Sequence, residues 1–344
     1  MTVELRSDNA ASVSPAILEA MATVNSGSAL AYGGDEVTAA LENRVREVFE
    51  HPTARVFPVL SGTAANALSL SALTPPWGSV VCHETAHIMT SEGGATSLLA
   101  GGAVMTGVAG EGYKMAPEAL QAHLDGVRWG DPHHSQPTVL SLTSPSDYGT
   151  VYSVPEISEL TGIAKTRDLR VHLDGARFAN AVVATGATPA DLTWRAGVDV
   201  LSLGATKNGA LSAEAIVCFS EAPADELVYR TKRSGHVTSK MRYQSAQLLA
   251  YLTDDLWLRN ARNANERMRE LCAGLGSLGI PLLNSPDANL VFAEIPDAVA
   301  DRLETSGVLF YRLGGQVRFV TSWETTPEEI DGVLGCLGRQ ADPR

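Results

Sequence analysis

Three polar residues follow two apolar segments that are spaced like neighbouring parallel strands. Asp174 and Arg177 end the segment Val171–Arg177, and Lys207 ends the segment Val198–Lys207. The residues between the segments are compatible with a helix, so we predict a βαβ unit whose two strands lie side by side. Ligands bind at the carboxyl ends of the strands in such sheets, and this rule brings Asp174, Arg177 and Lys207 to one mouth.

A carboxylate and an amine that lie together at the carboxyl edge of the sheet match the needs of pyridoxal phosphate (PLP). An ionised Asp174 can keep a pyridine nitrogen protonated, and Lys207, among small residues after an apolar strand, can form a Schiff base. Considered alone, Asp174 could equally cap the following helix. His172 faces the same side as Asp174 by strand alternation, and we interpret it as a hydrogen-bonded structural histidine beneath the site.

A candidate phosphate site lies between a predicted strand and a predicted helix, at Ser61-Gly62-Thr63. Exposed backbone N–H groups, small hydroxyls and the positive end of the helix dipole favour an anion there. The same residues also form ordinary helix caps, so this motif gains weight only from Asp174 and Lys207 downstream.

Histidines and arginines supply further candidates. His87 could stack on a planar ring or pack at a helix N-terminus. His83 and His87 are four residues apart, but no carboxylate or cysteine completes a metal set, so we expect no metal. Four arginines could grip a carboxylate or phosphate bidentately, with a surface salt bridge as the alternative for each: Arg6, Arg177, Arg233 and Arg318.

The composition is typical of a globular protein and argues against several classes. Of 344 residues, 44% are apolar, and 26 basic against 39 acidic residues give a net charge of −13, unsuited to general binding of nucleic acid or anionic membranes. No apolar run approaches the ~18 residues of a membrane span, and no apolar signal core opens the chain. Four widely spaced cysteines suit a reducing compartment. We therefore expect a cytoplasmic protein.

The elements that position these residues alternate between strands and helices. We predict strands over Arg55–Leu60, Ser79–Cys82, Thr138–Thr143 and Glu214–Ser220, and a loop over Trp129–Pro137. A long helical pattern from Ala222 to about Ala264 leads to a mixed tail. The fold class is thus α/β, with a large domain over residues 1–244, including an N-terminal segment 1–30, and a small α+β domain over residues 245–344.

Four spaced motifs resemble the threonine aldolase family: Leu5-Arg6-Ser7-Asp8, Tyr32-Gly33-Gly34-Asp35, Ser61-Gly62-Thr63-Ala64-Ala65-Asn66 and His172-Leu173-Asp174-Gly175-Ala176-Arg177. The resemblance covers nearly the whole chain. It implies the PLP-dependent transferase fold (fold type I, that of aspartate aminotransferase), with a mostly parallel seven-stranded sheet between helices. The segments 204–209, 240–242 and 251–260 look most like the phenylserine aldolase branch, whereas common threonine aldolases carry Ser-Lys-Gly-Leu at the lysine.

The resemblance also implies a role for each matching residue. Lys207 would form the Schiff base, Asp174 would pair with the pyridinium, and His87 would stack on the ring. The phosphate would be held by Ser61, Gly62, Thr63 and, across a subunit interface, Arg233. The substrate carboxylate would be held by Ser7, Arg177 and Arg318. The family has a second catalytic histidine on a loop, for which the candidates are His133 and His134. Family members are usually dimers of dimers with shared sites.

The implied reaction is the reversible retro-aldol cleavage of L-β-hydroxy-α-amino acids, such as phenylserine or threonine, to glycine and an aldehyde. Two alternatives remain open: a PLP-dependent β-eliminating lyase or transaminase, and a non-catalytic PLP-binding protein. The loop with Trp129 and His133 is our candidate for setting the aldehyde preference.

Overall fold

The computed structural model of the chain describes residues 2–338. Its strands are β1 (Val3–Glu4), β2 (Arg55–Val59), β3 (Gly78–His83), β4 (Val104–Val108), β5 (Gln136–Thr143), β6 (Arg170–Gly175), β7 (Val200–Leu203), β8 (Glu214–Cys218), β9 (Leu290–Ala293), β10 (Val308–Leu309), β11 (Tyr311–Leu313) and β12 (Gln316–Val320). Its helices are α1 (Pro15–Thr23), α2 (Glu36–Val48), α3 (Gly62–Leu73), α4 (His87–Thr90), α5 (Ala95–Leu99), α6 (Pro117–Asp125), α7 (Val154–Lys165), α8 (Phe178–Thr185), α9 (Glu221–Arg233), α10 (Arg242–Leu252), α11 (Leu256–Ser277), α12 (Asp297–Thr305) and α13 (Pro327–Gly338).

A seven-stranded sheet with the order β2-β8-β7-β6-β5-β3-β4 forms the centre of the large domain. Only β8 runs antiparallel to its neighbours; the other pairings are parallel. The predicted βαβ unit is present: β6 and β7 are parallel neighbours joined through α8, with Leu173 opposite Leu201. The mostly parallel sheet predicted for this fold is confirmed.

The central strands are apolar because helices cover both faces of the sheet. Every residue of β3 and β7 is buried, as are Val171 and Leu173 in β6. Such a continuous apolar run is typical of parallel strands, and each Val or Leu that leaves water contributes about 1.5–3 kcal/mol. The covering helices have defined starts: Asp35 caps α2 by accepting from the Thr38 N–H at 2.9 Å.

A smaller domain is built around an antiparallel sheet of β11, β12 and β9. The chain start adds to it, because β1 pairs with β10 and Val3 and Leu5 are buried in the same apolar core. Conversely, Leu248 in α10 and Trp257 at the start of α11 pack in the core of the large sheet. Each core therefore contains residues from the other side of the predicted boundary between residues 244 and 245. The helix α11, roughly 33 Å long, contributes residues to both cores.

The predicted helical stretch from Ala222 to Ala264 is three helices instead of one. Gly235 interrupts it with φ of +79°, and Asp254 and Asp255 interrupt it again with φ of +49° and +54°. These left-handed conformations end a helix even though the apolar spacing on either side continues. Among residues 2–338, no helix combines the length and apolar character needed to cross a bilayer.

Buried hydrogen bonds tie the segment after β7 to α10 and α11. The Tyr251 hydroxyl donates to the carbonyl of Gly204 at 3.1 Å, and the Asn208 amide donates to that hydroxyl at 2.9 Å and to the Trp257 carbonyl at 2.8 Å. Tyr251 is completely buried, and burial raises the pKa of its hydroxyl, which therefore stays protonated. The residue next to Lys207 is thus held by two helices.

Changing Tyr251 to Phe should destabilise the protein by about 1–2 kcal/mol, because both hydrogen bonds of its hydroxyl are lost and the Gly204 carbonyl and the buried Asn208 amide each lose a partner. The free energy of unfolding, measured in urea at matched protein concentration, checks this. The control is Tyr229→Phe, at an exposed ring, which should change stability by less than about 0.5 kcal/mol. Equal stability of the two variants would show that the Tyr251 hydroxyl contributes nothing.

Candidate active site

A pocket of about 260 Å³ opens at the carboxyl edge of the large sheet. Its walls come from the ends of four strands and the residues that follow them: residues 60–63 after β2, residues 143–147 from the last residue of β5, residues 174–177 from the end of β6, and residues 206–207 after β7. His87, at the start of α4, forms a further wall. Strands far apart in sequence therefore bring their terminal residues to one cavity.

Asp174 lies at the end of β6 and is almost fully buried, with 2% of its surface exposed. The Ala176 N–H donates to its Oδ1 at 3.0 Å, and the Asn66 amide donates to its Oδ2 at 3.1 Å. Beneath it, His172 bonds to the hydroxyls of Ser141 and Ser202, both at 2.9 Å. Burial lowers the pKa of His172 to about 4, so this histidine is a neutral structural residue, as expected.

Lys207 follows β7 in a short turn formed by Thr206–Asn208. Glu214 supports this turn from beneath: its carboxylate accepts from the backbone N–H of Ala205 at 2.6 Å and of Thr206 at 3.4 Å. Burial raises the pKa of Glu214, although these hydrogen bonds oppose the shift. The lysine amine therefore enters the pocket from a turn fixed by a buried carboxyl group.

Ser61, Gly62 and Thr63 form the amino-terminal end of α3 at another wall of the pocket. The Ser61 hydroxyl accepts from the Ala64 N–H at 3.2 Å, which is an ordinary N-cap. The N–H groups of Gly62 and Thr63, in the first turn, have no carbonyl partner within the helix. With the helix dipole, they form a site suited to a phosphate group.

Arg177, another residue of the pocket wall, forms a buried ion pair with Asp8 that the sequence did not predict. Its Nε donates to Oδ2 of Asp8 at 2.6 Å, and a terminal nitrogen donates to Oδ1 at 3.0 Å. Asn289 also donates to Oδ2 of Asp8, at 3.1 Å. Burial alone would raise the pKa of Asp8, but Arg177 and Lys207 lower it, so the carboxylate stays charged. Arg177 retains further N–H groups for a ligand.

Arg318 lies near Arg177 and is partly buried. It donates to the backbone carbonyl of Arg6 at 3.0 Å, and its Nε has no partner among residues 2–338. Burial, and next the nearby charge of Arg177, lower the pKa of Arg318. Two neighbouring guanidinium groups are suited to an anion between them. Ser7 caps the adjacent turn, and its hydroxyl accepts from the N–H of Asn9, a residue of the pocket wall.

His87 is fixed by a buried glutamate. The His87 Nδ1 lies 2.8 Å from Glu92 Oε1, which also accepts from the Asn66 amide at 2.9 Å. Because Asn66 donates to Asp174 as well, one amide links the two carboxylates. The hydrogen bond to Glu92 raises the pKa of His87, partly offset by burial, and the charges of Asp147 and Asp174 raise it further.

His133 and His134 do not reach this pocket. They lie in the loop before β5, where the His133 N–H donates to Asp131 Oδ1 at 3.0 Å. This loop is at the amino edge of the sheet, and the eight residues of β5 separate it by roughly 26 Å from the carboxyl edge. Trp129 lies in the same loop. β5 carries the chain from this loop towards the pocket of the same chain, and the prediction of a catalytic histidine in the loop stays a prediction.

Arg233 also lies outside the pocket of its own chain. It is exposed at the end of α9 and lines a separate cavity of about 560 Å³ between α3, α5 and α9. Seven of the other predicted residues line the pocket: Ser61, Gly62, Thr63, His87, Asp174, Arg177 and Lys207. Ser7 and Arg318 are not among the lining residues.

Several polar residues at the site were not predicted to act there, among them Asn66, Glu92, Asp147 and Glu214. Asn66 belongs to the motif that begins at Ser61, and Glu92 follows His87 by five residues. For Asn66 and Glu92, the sequence signal was their short distance along the chain from the predicted site residues Ser61 and His87. For Asp147 the signal was its position just after a predicted strand, at the edge where ligands bind.

The pocket fits a molecule with a phosphate, a basic ring nitrogen and a carbonyl carbon. The α3 terminus suits the phosphate, Asp174 suits a protonated ring nitrogen, and Lys207 suits the carbonyl carbon. Three buried oxygens of lining residues have no partner among residues 2–338 and are available to a ligand: Asn66 Oδ1, Glu92 Oε2 and Thr143 Oγ1. These properties match PLP.

Comparisons with known proteins agree with a PLP site. A family model described as beta-eliminating lyase matches residues 4–298. A low specificity L-threonine aldolase of Pseudomonas sp. (strain NCIMB 10558) is 37% identical over 330 residues, which cover 95% of this chain and 94% of the relative. Another, from Pseudomonas aeruginosa, is 37% identical over 96% of this chain and 95% of the relative. The chain belongs to the threonine aldolase family.

Solved structures support the same assignment. A threonine aldolase of Leishmania major has a TM-score of 0.92 at 26% identity, covering 97% of this chain and 98% of its own. An aspartate aminotransferase of Thermus thermophilus has a TM-score of 0.71 at 18% identity, covering 97% of this chain and 90% of its own, and it shares the fold. The family, the fold and the PLP cofactor are therefore confirmed, and the chain is a PLP-dependent lyase.

Changing Lys207 to Ala should abolish the visible absorbance of lysine-bound cofactor and most turnover, because no other amine lines the pocket among residues 2–338. Absorbance spectra of protein purified with added PLP check this. Lys165→Ala, at an exposed lysine of α7, is the matched control and should keep the wild-type spectrum. Near-normal rates in the Lys207 variant would exclude it from the role.

Changing Glu92 to Gln should lower the pKa of His87. The folded-state pKa is raised because Glu92 stabilises the imidazolium, so a neutral amide lets the proton leave at lower pH. NMR titration of ¹³C-labelled histidines in cofactor-free protein measures this, with His87→Asn identifying the resonance. Glu84→Gln, at an exposed carboxylate, should leave the pKa of His87 unchanged. An unchanged pKa in Glu92→Gln would contradict the assigned cause.

Proposed function

We propose that this protein cleaves L-β-hydroxy-α-amino acids of the phenylserine and threonine type reversibly to glycine and an aldehyde. The observation that carries the proposal is the placement of two arginines, Arg177 and Arg318, beside a pocket that contains Lys207 and Asp174. Such a pocket can hold an amino acid by its carboxylate while its amino group faces the cofactor. The names of the Pseudomonas relatives support the choice of substrate class.

Each residue has a distinct task in this proposal. Ser61, Gly62 and Thr63 hold the cofactor phosphate, and Lys207 holds the cofactor through its amine. Bound PLP supplies an electron sink for the pair left at Cα when the Cα–Cβ bond breaks. Asp174 keeps the ring nitrogen protonated, and His87 covers a ring face.

The carboxylate clamp sets which bond breaks. Arg177 and Arg318, with Ser7 beside them, would hold the substrate carboxylate and so fix the orientation of the Cα–Cβ bond. The clamp would act on the transition state more than on binding, because it determines which bond of the substrate is positioned to break.

We also propose that sites are shared within a dimer of dimers in the cytoplasm, with Arg233 reaching the phosphate of a neighbouring subunit. Two observations support the shared site: Arg233 is exposed outside its own pocket, and its side chain makes no hydrogen bond among residues 2–338. A phenylserine preference remains part of the proposal and rests on the motifs around Lys207 and Tyr251.

A second candidate is β-elimination, which the description of the matching family model favours. The two reactions differ in their products. Purified protein with added PLP is incubated separately with L-threo-phenylserine and L-threonine, and aldehyde, glycine, ammonia and keto acid are assayed. Equal amounts of aldehyde and glycine support the proposal, and the ratio of rates tests the phenylserine preference. Ammonia with a keto acid would establish elimination, and an inert yellow protein would indicate a binding protein.

A further inference from the structure

Asp147 lies on a loop whose backbone is fixed on both sides of it. The Ser144 N–H donates to the carbonyl of Asp174 at 3.0 Å, which attaches the loop to the end of β6. Ser146, just before Asp147, is bonded to Thr150, three residues after it: the Ser146 N–H donates to the Thr150 carbonyl at 2.8 Å, and the two hydroxyls are 2.7 Å apart and buried. The loop therefore presents Asp147 at a defined place on the pocket wall.

The neighbouring residues anchor the far side of this loop. The Tyr148 ring stacks on Tyr113 at a centroid distance of 3.5 Å and on Phe292 at 4.8 Å. Gly149 follows with φ of +84°, and a Cβ there would lie 2.2 Å from the carbonyl oxygen of Leu290. Contacts with the small domain therefore hold the residues that follow Asp147.

Asp147 differs from the other carboxylates that line the pocket. Glu92, Asp174 and Glu214 all accept hydrogen bonds from protein donors. Asp147 makes no hydrogen bond and no ion pair among residues 2–338. A carboxylate on a fixed backbone that has no donor within the described residues is available to a donor on the substrate.

The charges around Asp147 indicate which part of the substrate it faces. Its negative charge raises the pKa of His87, although Glu92 has the larger effect. The negative charge of Asp147 also raises the pKa of Arg177 and of Arg318, whereas burial lowers the pKa of both. Asp147 therefore lies within electrostatic range of His87 and of the two arginines, on the wall of the pocket that His87 and Arg177 also line.

Of His87 and Asp147, His87 is less suited to act as the base that accepts a proton from the substrate. Its Nδ1 is already engaged by Glu92, and its raised pKa means that it keeps its proton to higher pH. A side chain that keeps a proton serves as a donor, whereas an unengaged carboxylate serves as an acceptor.

We propose that Asp147 is a catalytic residue whose carboxylate accepts the proton of the substrate β-hydroxyl. This inference rests on the proposed retro-aldol function and deepens it. As the O–H bond breaks, its electron pair forms the C=O bond of the aldehyde, and the Cα–Cβ pair passes to Cα. Cα then gains a proton and glycine leaves, so the proton taken by Asp147 balances the one that glycine gains.

The test compares wild-type holoenzyme with Asp147→Asn and with Asp331→Asn, a control at an exposed carboxylate of α13. In Asp147→Asn, kcat for cleavage of L-threo-phenylserine and L-threonine should fall by about 10²-fold or more. The Kd for glycine, from titration calorimetry, should stay within about threefold because glycine has no hydroxyl. Exchange of the glycine Cα protons in D₂O, followed by proton NMR, should also persist. Asp331→Asn should match wild type throughout.

Chemical rescue separates a proton acceptor from a structural residue. Asp147→Ala leaves room for a small carboxylate, so added formate should raise its cleavage rate by about tenfold or more. Cleavage within about threefold of wild type in Asp147→Asn would overturn the proposal. So would parallel loss of glycine binding and cleavage without rescue by formate. Wild-type protein that releases no aldehyde would overturn the retro-aldol function itself, and the role of Asp147 with it.

Discussion

A buried carboxylate at the end of a parallel strand is the constraint on which this site depends. Removing a charge from water is costly unless hydrogen bonds replace the water. Asp174 receives them from the Ala176 N–H and the Asn66 amide. Asn66 also donates to Glu92, which in turn fixes His87. The hydrogen bonds that keep Asp174 satisfied therefore also orient the histidine of the pocket wall.

Close packing of two strand ends sets the position of the lysine relative to this carboxylate. The Gly204 N–H donates to the Gly175 carbonyl at 2.9 Å, and a Cβ on Gly204 would lie 2.1 Å from the Ala176 oxygen. Only glycine allows this approach, which brings the turn after β7 against the turn after β6. Tyr251 and Glu214 then support that turn from two other directions. The floor of the pocket is thus one packed unit.

Much of this arrangement follows from local sequence signals. Apolar runs ended by polar residues predicted β6 and β7, and the rule for parallel sheets placed Asp174, Arg177 and Lys207 together. The same rule, applied to the predicted strand Thr138–Thr143, indicates Asp147, which follows the strand, and places His133, which precedes it, at the opposite edge of the sheet. The prediction of a second catalytic histidine rests on the family resemblance alone and stays a prediction.

Other features have no local signal. Asp8 and Arg177 are 169 residues apart, and only the folded chain shows that they form a buried pair. The exchange of segments between the two cores is likewise a tertiary property, because the apolar pattern of α11 continues while its packing partners change. Apolar spacing predicts that a face is buried, but it does not predict which core the face joins.

The most direct test of the account is the Asp174→Asn variant, which removes the charge and keeps the shape. Glycine binding, measured by titration calorimetry, should change by less than about tenfold, because the carboxylate clamp is intact. The kcat for cleavage of L-threo-phenylserine should fall by about 10²-fold or more, because the charge acts mainly in the transition state. A variant that loses binding and turnover equally, or that keeps turnover within about tenfold, would contradict a central catalytic role for this carboxylate.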